Sequence, residues 1–159
     1  MNVAKLLTQA ANDFPDKPAI IFADDSITFS QLKDLSFCFA NGLKRLGLKK
    51  DVKIAIYLPN CPEYILSYFA VYNLGGIIVP LDFMLTQDEL ENLINHSEAK
   101  ILIAKEKKDI DLKRLKQNLS LEQIILLDQN SDFLNPVRNS KITREKSNIS
   151  NGVNFHNLI

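Results

Sequence analysis

The stretch KIAIYLPNCPEYILSYFAVYNLGGIIVP, residues 53–80, contains the pattern that decides the fold. Its first six residues show little alternation of polar and apolar side chains, which is typical of a strand covered on both faces. Asn60 and the Pro62-Glu63 pair favour a helix start, because asparagine accepts amide hydrogen bonds, proline needs no amide partner and glutamate suits the positive helix end. Gly75-Gly76 favours a helix end, and residues 77–80 predict a second strand. This order predicts two parallel strands joined by a helix.

The helix inside this stretch is apolar on most of its sides, through Tyr64, Ile65, Tyr68, Phe69 and Tyr72. A helix that is apolar all round is normally buried, so this one is predicted to lie between two layers of the fold. The aromatic stripe could line a pocket, although aromatic residues at helical spacing more often belong to a core.

Strand and helix patterns continue on both sides of residues 53–80. Upstream, they predict a helix that Pro15 ends, a hairpin of residues 19–23 and 26–29, and a helix capped by Thr28 or Ser30 and stopped by Gly47. Downstream, they predict a helix that starts with a capping box at Thr86 and turns Leu90, Leu93 and Ile94 inward, a strand at 100–104, a polar surface helix at 105–119 and a strand at 123–128. Alternating strands and helices predict an α/β three-layer sandwich with a mostly parallel sheet.

The composition changes after Asp128, which divides the chain into an α/β domain at residues 1–128 and a tail at residues 129–159. The tail contains seven Asn and four Ser, and its segment 135–154 carries four basic residues against the single acid Glu145. We interpret the tail as disordered or as an insertion. A basic arm that binds nucleic acid is the alternative, but the segment lacks interleaved aromatic residues.

Charge and hydropathy exclude several classes of function. The chain has 19 basic and 19 acidic side chains in 159 residues, so it has no net charge that would attract nucleic acid or an anionic membrane. No apolar stretch is long enough for a secretory signal or a membrane span, which predicts a cytoplasmic protein. Cys38 and Cys61 lack metal-type spacing, so we expect both to be buried packing residues rather than catalytic thiols.

Few residues suggest a catalytic or metal site. Gly75-Gly76 lies at a helix end before a strand, the reverse of the order in a nucleotide-binding loop. His96 follows near a helix end and has no second metal ligand at the usual spacing, so capping is the favoured role. Asp82 follows a strand end, where α/β proteins often place functional groups, but turn formation explains it equally well. The residues alone indicate only a soluble α/β domain.

Several spaced motifs resemble the N-terminal subdomain of the adenylate-forming superfamily, which includes acyl-CoA synthetases, aryl-acid ligases, luciferases and peptide-synthetase adenylation domains. The motifs are Ser26-Ile27-Thr28-Phe29-Ser30-Gln31-Leu32, Leu58-Pro59-Asn60-Cys61-Pro62-Glu63-Tyr64 and Asn73-Leu74-Gly75-Gly76-Ile77-Ile78-Val79-Pro80-Leu81-Asp82. They occur in the family's order, and the lead-in Phe14-Pro15-Asp16-Lys17-Pro18 fits as well. The acyl-CoA synthetase branch is the most similar.

The resemblance implies a reaction in which a carboxylic acid and ATP-Mg form an acyl-adenylate, and coenzyme A then displaces AMP. In the family, the phosphate loop, the ribose-binding motif and the catalytic lysine lie beyond the matched part. We therefore assign no catalytic, cofactor-binding or metal-binding residue to this chain, and no ATP, Mg²⁺ or coenzyme A site. The identity of the acyl substrate stays undetermined, because the substrate pockets of the family also lie beyond the matched part.

The resemblance thus predicts a truncated N-terminal part of an acyl-activating ligase, inactive alone. Residues 135–154 look inserted before Phe155-His156-Asn157-Leu158-Ile159, which resembles the family's return into a helix. One alternative is half of a split ligase that needs a second polypeptide as its partner. Others are a non-catalytic interaction domain and a phosphoacceptor signalling domain. The last is disfavoured because Asp24-Asp25 leads into a strand rather than a helix.

Overall fold

The computed structural model describes residues 3–127 and 152–154. The elements follow one another as α1 (Val3–Asp13), β1 (Pro18–Phe22), β2 (Asp25–Thr28), α2 (Phe29–Arg45), β3 (Lys53–Tyr57), α3 (Pro62–Leu74), β4 (Ile77–Leu81), α4 (Gln87–Ser97), β5 (Ile101–Lys105), α5 (Leu112–Asn118), β6 (Gln123–Leu127) and β7 (Gly152–Asn154). Five of the strands form one sheet in the order β4-β3-β5-β6-β7, and every neighbouring pair is parallel. β1 and β2 form the predicted antiparallel hairpin.

The sheet separates two hydrophobic clusters, because successive side chains of a strand point to opposite faces. Ile54 and Ile56 of β3 face a cluster that α1, α2 and α3 cover. Ala55 and Tyr57 of the same strand face a second cluster, which α4 and α5 cover. Helices thus lie on both faces of a parallel sheet, which confirms the predicted three-layer α/β architecture.

Local sequence signals set most of the helix ends. At the start of α2, the Thr28 amide donates to Gln31 Oε1 over 2.9 Å, and the Gln31 amide donates to Thr28 Oγ1 over 3.2 Å. Of the two predicted caps, Thr28 is therefore the one used. α3 ends at Gly75, whose φ of 70° lies in the left-handed region that favours glycine.

The start of α3 differs from the prediction. Its N-cap is Cys61 rather than Asn60, and no side chain accepts a hydrogen bond from the first-turn amides at the cap. Pro62 still occupies the start of the helix, where its missing amide costs nothing. The helix therefore begins one residue later than an Asn60 cap would place it.

Two further predictions from the pattern were wrong. Residues 105–119 do not form one polar helix, because Lys105 ends β5 and the helix α5 begins only at Leu112, where the Asp111 side chain accepts from the Lys113 and Arg114 amides. Leu93 of α4 does not turn inward, since 42% of its surface is exposed while Leu90 and Ile94 are buried.

The predicted tail at residues 129–159 lies outside the described residues except at β7. There, Gly152, Val153 and Asn154 pair with Ile124, Ile125 and Leu126 of β6. The domain division at residue 128 stays a prediction. Across residues 3–127 and 152–154, no helix has the length and apolarity that a membrane span requires.

Candidate functional site

The strand order creates a reversal in the direction of the connections at the carboxyl ends of the strands. The connection from β3 to β4 runs to one side, and the connection from β4 to β5 returns past β3 to the other side. In open parallel α/β sheets, ligands bind at such a reversal, outside the carboxyl ends of the strands. Here those ends are Tyr57 on β3 and Lys105 on β5. This edge, which we call the switch-point edge, is the place to look for a site.

A buried ion pair occupies the switch-point edge. Lys105 Nζ lies 3.3 Å from Glu63 Oε1, and the exposed fractions of the two side chains are 17% and 5%. Pro62 starts α3 immediately beyond β3, so Glu63 falls in the first turn of that helix, where the helix dipole favours a carboxylate. The ammonium group of Lys105 is thereby held by an internal carboxylate rather than presented to a ligand.

The thiol of Cys61 lies next to this pair and is unsuited to nucleophilic chemistry. Burial, and then the negative charge of Glu63, raises its pKa to about 12. Since the thiolate is the reactive form, a neutral thiol at physiological pH is inert. Cys38 is exposed and Cys61 is half-buried, so the prediction that both cysteines are buried was wrong for Cys38 and holds only in part for Cys61.

At the same edge, Lys107 connects the loop after β5, to which it belongs, with the loop after β4. Its Nζ donates to the carbonyl oxygens of Phe83 and Leu85 over 2.9 and 3.4 Å, and to the Tyr57 hydroxyl over 3.3 Å. The Tyr57 hydroxyl also lies 3.0 and 3.2 Å from the same two carbonyl oxygens. The rings of Tyr57 and Phe83 are 4.9 Å apart, with Lys107 above the Phe83 ring at 5.5 Å. The loop after β4 and the loop after β5 are thus closed over Tyr57.

These contacts test whether the edge fits a nucleotide. The cations Lys105 and Lys107 are both engaged by oxygens of this chain, and the carboxylate of Glu63 lies in the first turn of α3 against Lys105. The connection after β3 is Leu58-Pro59-Asn60-Cys61, which contains no glycine that would let backbone amides close around a phosphate. The described residues of the switch-point edge therefore do not fit the phosphates of ATP.

A separate open cavity of about 650 Å³ lies beside α5 and is lined by residues of the loop after β5 and of the helix start: Glu106, Lys107, Lys108, Ile110, Asp111, Leu112 and Lys113. Its lysines are offset by Glu106 and Asp111, and the Asp111 side chain is already engaged as the α5 cap. The lining of the cavity therefore carries charges of both signs.

The residues singled out from sequence have structural positions. Asp82 Oδ1 accepts a hydrogen bond of 2.9 Å from the Met84 amide, which agrees with turn formation. His96 lies in the last turn of α4, as predicted. Gly75 caps α3, which confirms the favoured interpretation of the glycine pair. Within residues 3–127 and 152–154, no three His, Cys, Asp or Glu side chains are grouped as a metal site requires.

Sequence reasoning missed the interactions that fill the switch-point edge. Glu63 and Lys105 are 42 positions apart, and Lys107 reaches carbonyls more than 20 positions away. One signal was present: Glu63 is the only charged residue in α3, and in an otherwise uncharged helix such a residue is a candidate for a buried pair.

α3 carries apolar side chains on all of its sides. Its buried positions are Glu63, Leu66, Ser67, Ala70 and Val71, which recur with helical spacing and include the helix's only charge. Its outer positions are the aromatic and aliphatic residues Tyr64, Ile65, Tyr68, Phe69 and Tyr72, which we call the α3 aromatic face. Four of these five are half-buried, and Tyr64, Tyr68 and Phe69 pack against the cluster that also contains residues of α1 and α2. Ile65 is 39% exposed, so the prediction that this helix is buried holds only in part.

The tyrosines of the α3 aromatic face contact one another. The hydroxyl oxygens of Tyr64 and Tyr68 are 3.0 Å apart, and their rings are 4.9 Å apart. The Tyr68 and Tyr72 rings meet edge to face at 6.1 Å. Burial, and then the hydrogen bond with Tyr64, raises the pKa of Tyr68, so the Tyr68 hydroxyl stays protonated at neutral pH.

Comparisons with known proteins match the chain to one part of longer enzymes. The family model described as AMP-binding enzyme matches residues 7–152. The 4-hydroxybutyrate–CoA ligase 2 of Metallosphaera sedula is 33% identical over 122 residues, which are 77% of this chain and 22% of the relative. The long-chain-fatty-acid–CoA ligase of Bacillus subtilis is 34% identical over 133 residues, or 81% of this chain and 23% of the relative.

Solved structures agree with this result. Coronafacic acid ligase from Pectobacterium brasiliense has a TM-score of 0.75 at 29% identity, over 84% of this chain and 27% of that one. A long-chain-fatty-acid-CoA ligase from Archaeoglobus fulgidus has a TM-score of 0.75 over 82% of this chain and 28% of that one, and at 24% identity it supports the fold alone. The chain thus spans less than a quarter of the length of the two curated relatives.

Proposed function

The chain belongs to the AMP-binding enzyme family, and from this premise we propose that it forms the N-terminal scaffold of an ATP-dependent, acyl-activating ligase of the acyl-CoA synthetase type. The observation that carries the proposal is the family match over residues 7–152, together with relatives that are named as CoA ligases. Those names share a carboxylic acid as substrate, so a carboxylic acid is the proposed substrate class. ATP, Mg²⁺ and coenzyme A are the co-substrates and metal proposed for the whole ligase.

We further propose that this chain does not form an acyl-adenylate by itself. Among the described residues of the switch-point edge, Lys105 is paired with Glu63 and Lys107 donates to oxygens of this chain over Tyr57, so neither of these cations is free for a phosphate. Stabilising the charge that develops on transferring phosphates needs such groups. The part played by the described residues is structural: they build the sheet that the rest of the ligase would pack against, in the cytoplasm.

ATP–pyrophosphate exchange tests this proposal. The chain alone, with long-chain fatty acid or 4-hydroxybutyrate, is expected to give exchange at the level of a no-enzyme blank. The chain combined with the part of the Bacillus subtilis ligase that follows their shared segment is expected to exceed both the chain and that part measured separately. Exchange by the chain alone would contradict the scaffold proposal.

The second candidate is a non-catalytic α/β interaction domain, which the uncharged α3 aromatic face favours. The same assay separates the two candidates. A complex that forms with the remainder of a ligase but gives no exchange with any tested acid would support the interaction domain and would contradict the scaffold of an active enzyme. Restored exchange in the mixture would establish the split arrangement, in which the second polypeptide is the partner.

A further inference from the structure

Three oxygen atoms surround the ammonium group of Lys107. The carbonyl oxygens of Phe83 and Leu85 lie 2.9 and 3.4 Å from Lys107 Nζ, and the Tyr57 hydroxyl oxygen lies 3.3 Å from it. The ring centres of Phe83 and Tyr57 lie 5.5 and 6.0 Å from the same nitrogen. Three hydrogen-bond acceptors and two aromatic rings thus meet at one point. We call the group formed by Tyr57, Phe83 and Leu85 the oxygen cage.

The acceptors of the oxygen cage match a primary ammonium ion in number. Such an ion has three N–H donors and no acceptor. The Tyr57 hydroxyl has a single hydrogen, which it can donate to the Phe83 carbonyl oxygen at 3.0 Å, so its lone pairs can accept from the cation. The Phe83 carbonyl oxygen has two lone pairs and can therefore accept from both groups. Each donor of the cation has an oxygen partner, and the rings add a favourable contact with its charge.

Contacts that do not involve Lys107 hold the oxygen cage together. Tyr57 is fully buried, its hydroxyl lies 3.0 and 3.2 Å from the two carbonyl oxygens, and its ring lies 4.9 Å from the Phe83 ring. The Leu85 amide also donates to the Asp82 carbonyl oxygen over 3.2 Å, which fixes the turn that contains both carbonyls. We therefore expect the cage to persist when the lysine side chain is removed.

Lys116 provides a contrast within the same chain. Like Lys107, it is half-buried and donates through Nζ to two backbone carbonyl oxygens, those of Leu121 and Glu122. Neither a hydroxyl group nor an aromatic ring is among its hydrogen-bond and ring contacts in the part of the chain that the structure describes. Lys116 thus has an incomplete set of acceptors and serves as the matched control.

We propose that the oxygen cage is a binding site for a primary ammonium ion. Lys107 fills it from within the chain, and a free alkylammonium ion fills it when that side chain is absent. Methylammonium is the ligand of the right class, because it reproduces the end of a lysine side chain with its three donors. Occupancy of the cage holds the loop between β4 and α4 in place, since two of the three acceptors are carbonyl oxygens of that loop.

Chemical rescue of a lysine variant tests the proposal. Lys107→Ala in the full 159-residue chain removes the cation, and methylammonium chloride is the probe. We expect the substitution to lower Tm and to accelerate hydrogen exchange of the Leu85 amide, measured by NMR. Methylammonium is expected to recover at least about half of the lost Tm along a saturable curve, as for a ligand that binds only the folded state, and to slow the exchange again. Sodium chloride at equal ionic strength controls for salt.

Two further variants separate binding from general stabilisation. Lys116→Ala is expected to gain nothing from methylammonium beyond the effect of sodium chloride. Tyr57→Phe combined with Lys107→Ala removes one acceptor and is expected to weaken methylammonium binding at least about fivefold. If Lys107→Ala does not fold by itself, the yield of refolding against methylammonium concentration gives the same curve.

Four results would overturn the proposal. The first is the absence of rescue by methylammonium at every concentration, in Tm or in refolding. Equal rescue by tetramethylammonium, which has no N–H donor, would assign the effect to the rings alone. Equal rescue by potassium would make the cage a site for spherical cations, and equal rescue of Lys116→Ala would make the effect unspecific. None of these measurements needs ATP or an acid substrate, so their outcome is independent of the exchange assay.

Discussion

At the scale of single residues, Glu63 and Lys105 form the most consequential contact described. Removing two charges from water is costly, and their mutual attraction offsets that cost only while both partners are present. The pair joins the start of α3 to the end of β5, two elements that the chain connects through 42 positions. A change in either residue therefore affects the packing of a helix on the central sheet.

Glu63→Gln is expected to lower the free energy of unfolding by about 3 kcal/mol, because Lys105 then keeps a charge in a site with little water and no anion. This loss is at the lower end of the range for a broken buried ion pair, because 17% of the Lys105 side chain is still exposed to water. Urea denaturation followed by circular dichroism measures the loss.

The surface pair between Lys53 and Glu98 provides the control for this substitution. It is shorter, at 2.9 Å, but the exposed fractions of its side chains are 36% and 75%. Glu98→Gln is therefore expected to cost less than about 1 kcal/mol. Equal losses for the Glu63 and Glu98 variants would show that burial does not govern the Glu63–Lys105 pair.

The residue scale is also where prediction from sequence reached its limit. Thr28, Gly75 and Asp82 act through neighbours within a few positions, so the local sequence was sufficient to predict their roles as caps and turns. Glu63 and Lys105 meet only after the sheet has formed, and the periodicity of α3 contains no information about β5. The functional assignment came from motif resemblance rather than from any site chemistry visible in the residues.

At the scale of elements, the capping box at the start of α4 also changes the pKa of one of its own residues. The Thr86 amide and hydroxyl both donate to Glu89 Oε2, over 2.9 and 2.8 Å. These bonds, the backbone one first, hold the pKa of Glu89 below its ordinary value of 4.5. A lowered carboxyl pKa in the folded state stabilises that state above the unfolded pKa, and the benefit is lost as pH falls through the folded pKa.

Thr86→Ala is expected to raise the pKa of Glu89 part of the way to its ordinary value, because the backbone donor remains while the hydroxyl donor is lost. Thr86→Ser retains both donors and is expected to leave this pKa nearly unchanged. Carboxyl chemical shifts measured by NMR between pH 2 and 7 follow the titration. An unchanged Glu89 pKa in Thr86→Ala would show that the hydroxyl contributes nothing.

Elements with strong end signals were predicted better than those without. The α2 and α4 starts matched their capping residues, whereas α5 was predicted seven residues too early because residues 105–111 are rich in charge and contain no proline or glycine to mark a loop. The prediction that Leu93 turns inward was wrong for another reason. Periodicity gives the width of the apolar stripe of a helix, but it does not show how much of that stripe the neighbouring layer covers.

At the scale of the whole molecule, the two hydrophobic clusters share their central strands. Leu102 and Ile103 are neighbours on β5, both are fully buried, and they face opposite clusters. Because β5 contributes side chains to both clusters, loss of packing on one face of the sheet also destabilises the cluster on the other face. The three layers are thus expected to unfold together.

Leu102→Ala and Ile103→Ala are each expected to lower the free energy of unfolding by about 2–5 kcal/mol, within a single transition. Far-UV circular dichroism and tyrosine fluorescence are expected to give coincident midpoints, since Tyr57 reports on one cluster and Tyr64 and Tyr68 on the other. Leu93→Ala, at an exposed position, is the control and is expected to change little. Separated midpoints in either variant would mean that the two faces unfold independently.

The strand order has a consequence for how the chain is made on the ribosome. β4 and β5 are each synthesised after their neighbour β3, β6 after its neighbour β5, and β7 after its neighbour β6. Every strand of this sheet after β3 is therefore synthesised when the neighbour with which it pairs already exists. Domains fold as units during synthesis, the N-terminal one first. The sheet can accordingly assemble outward from β3 while the polypeptide is still being translated.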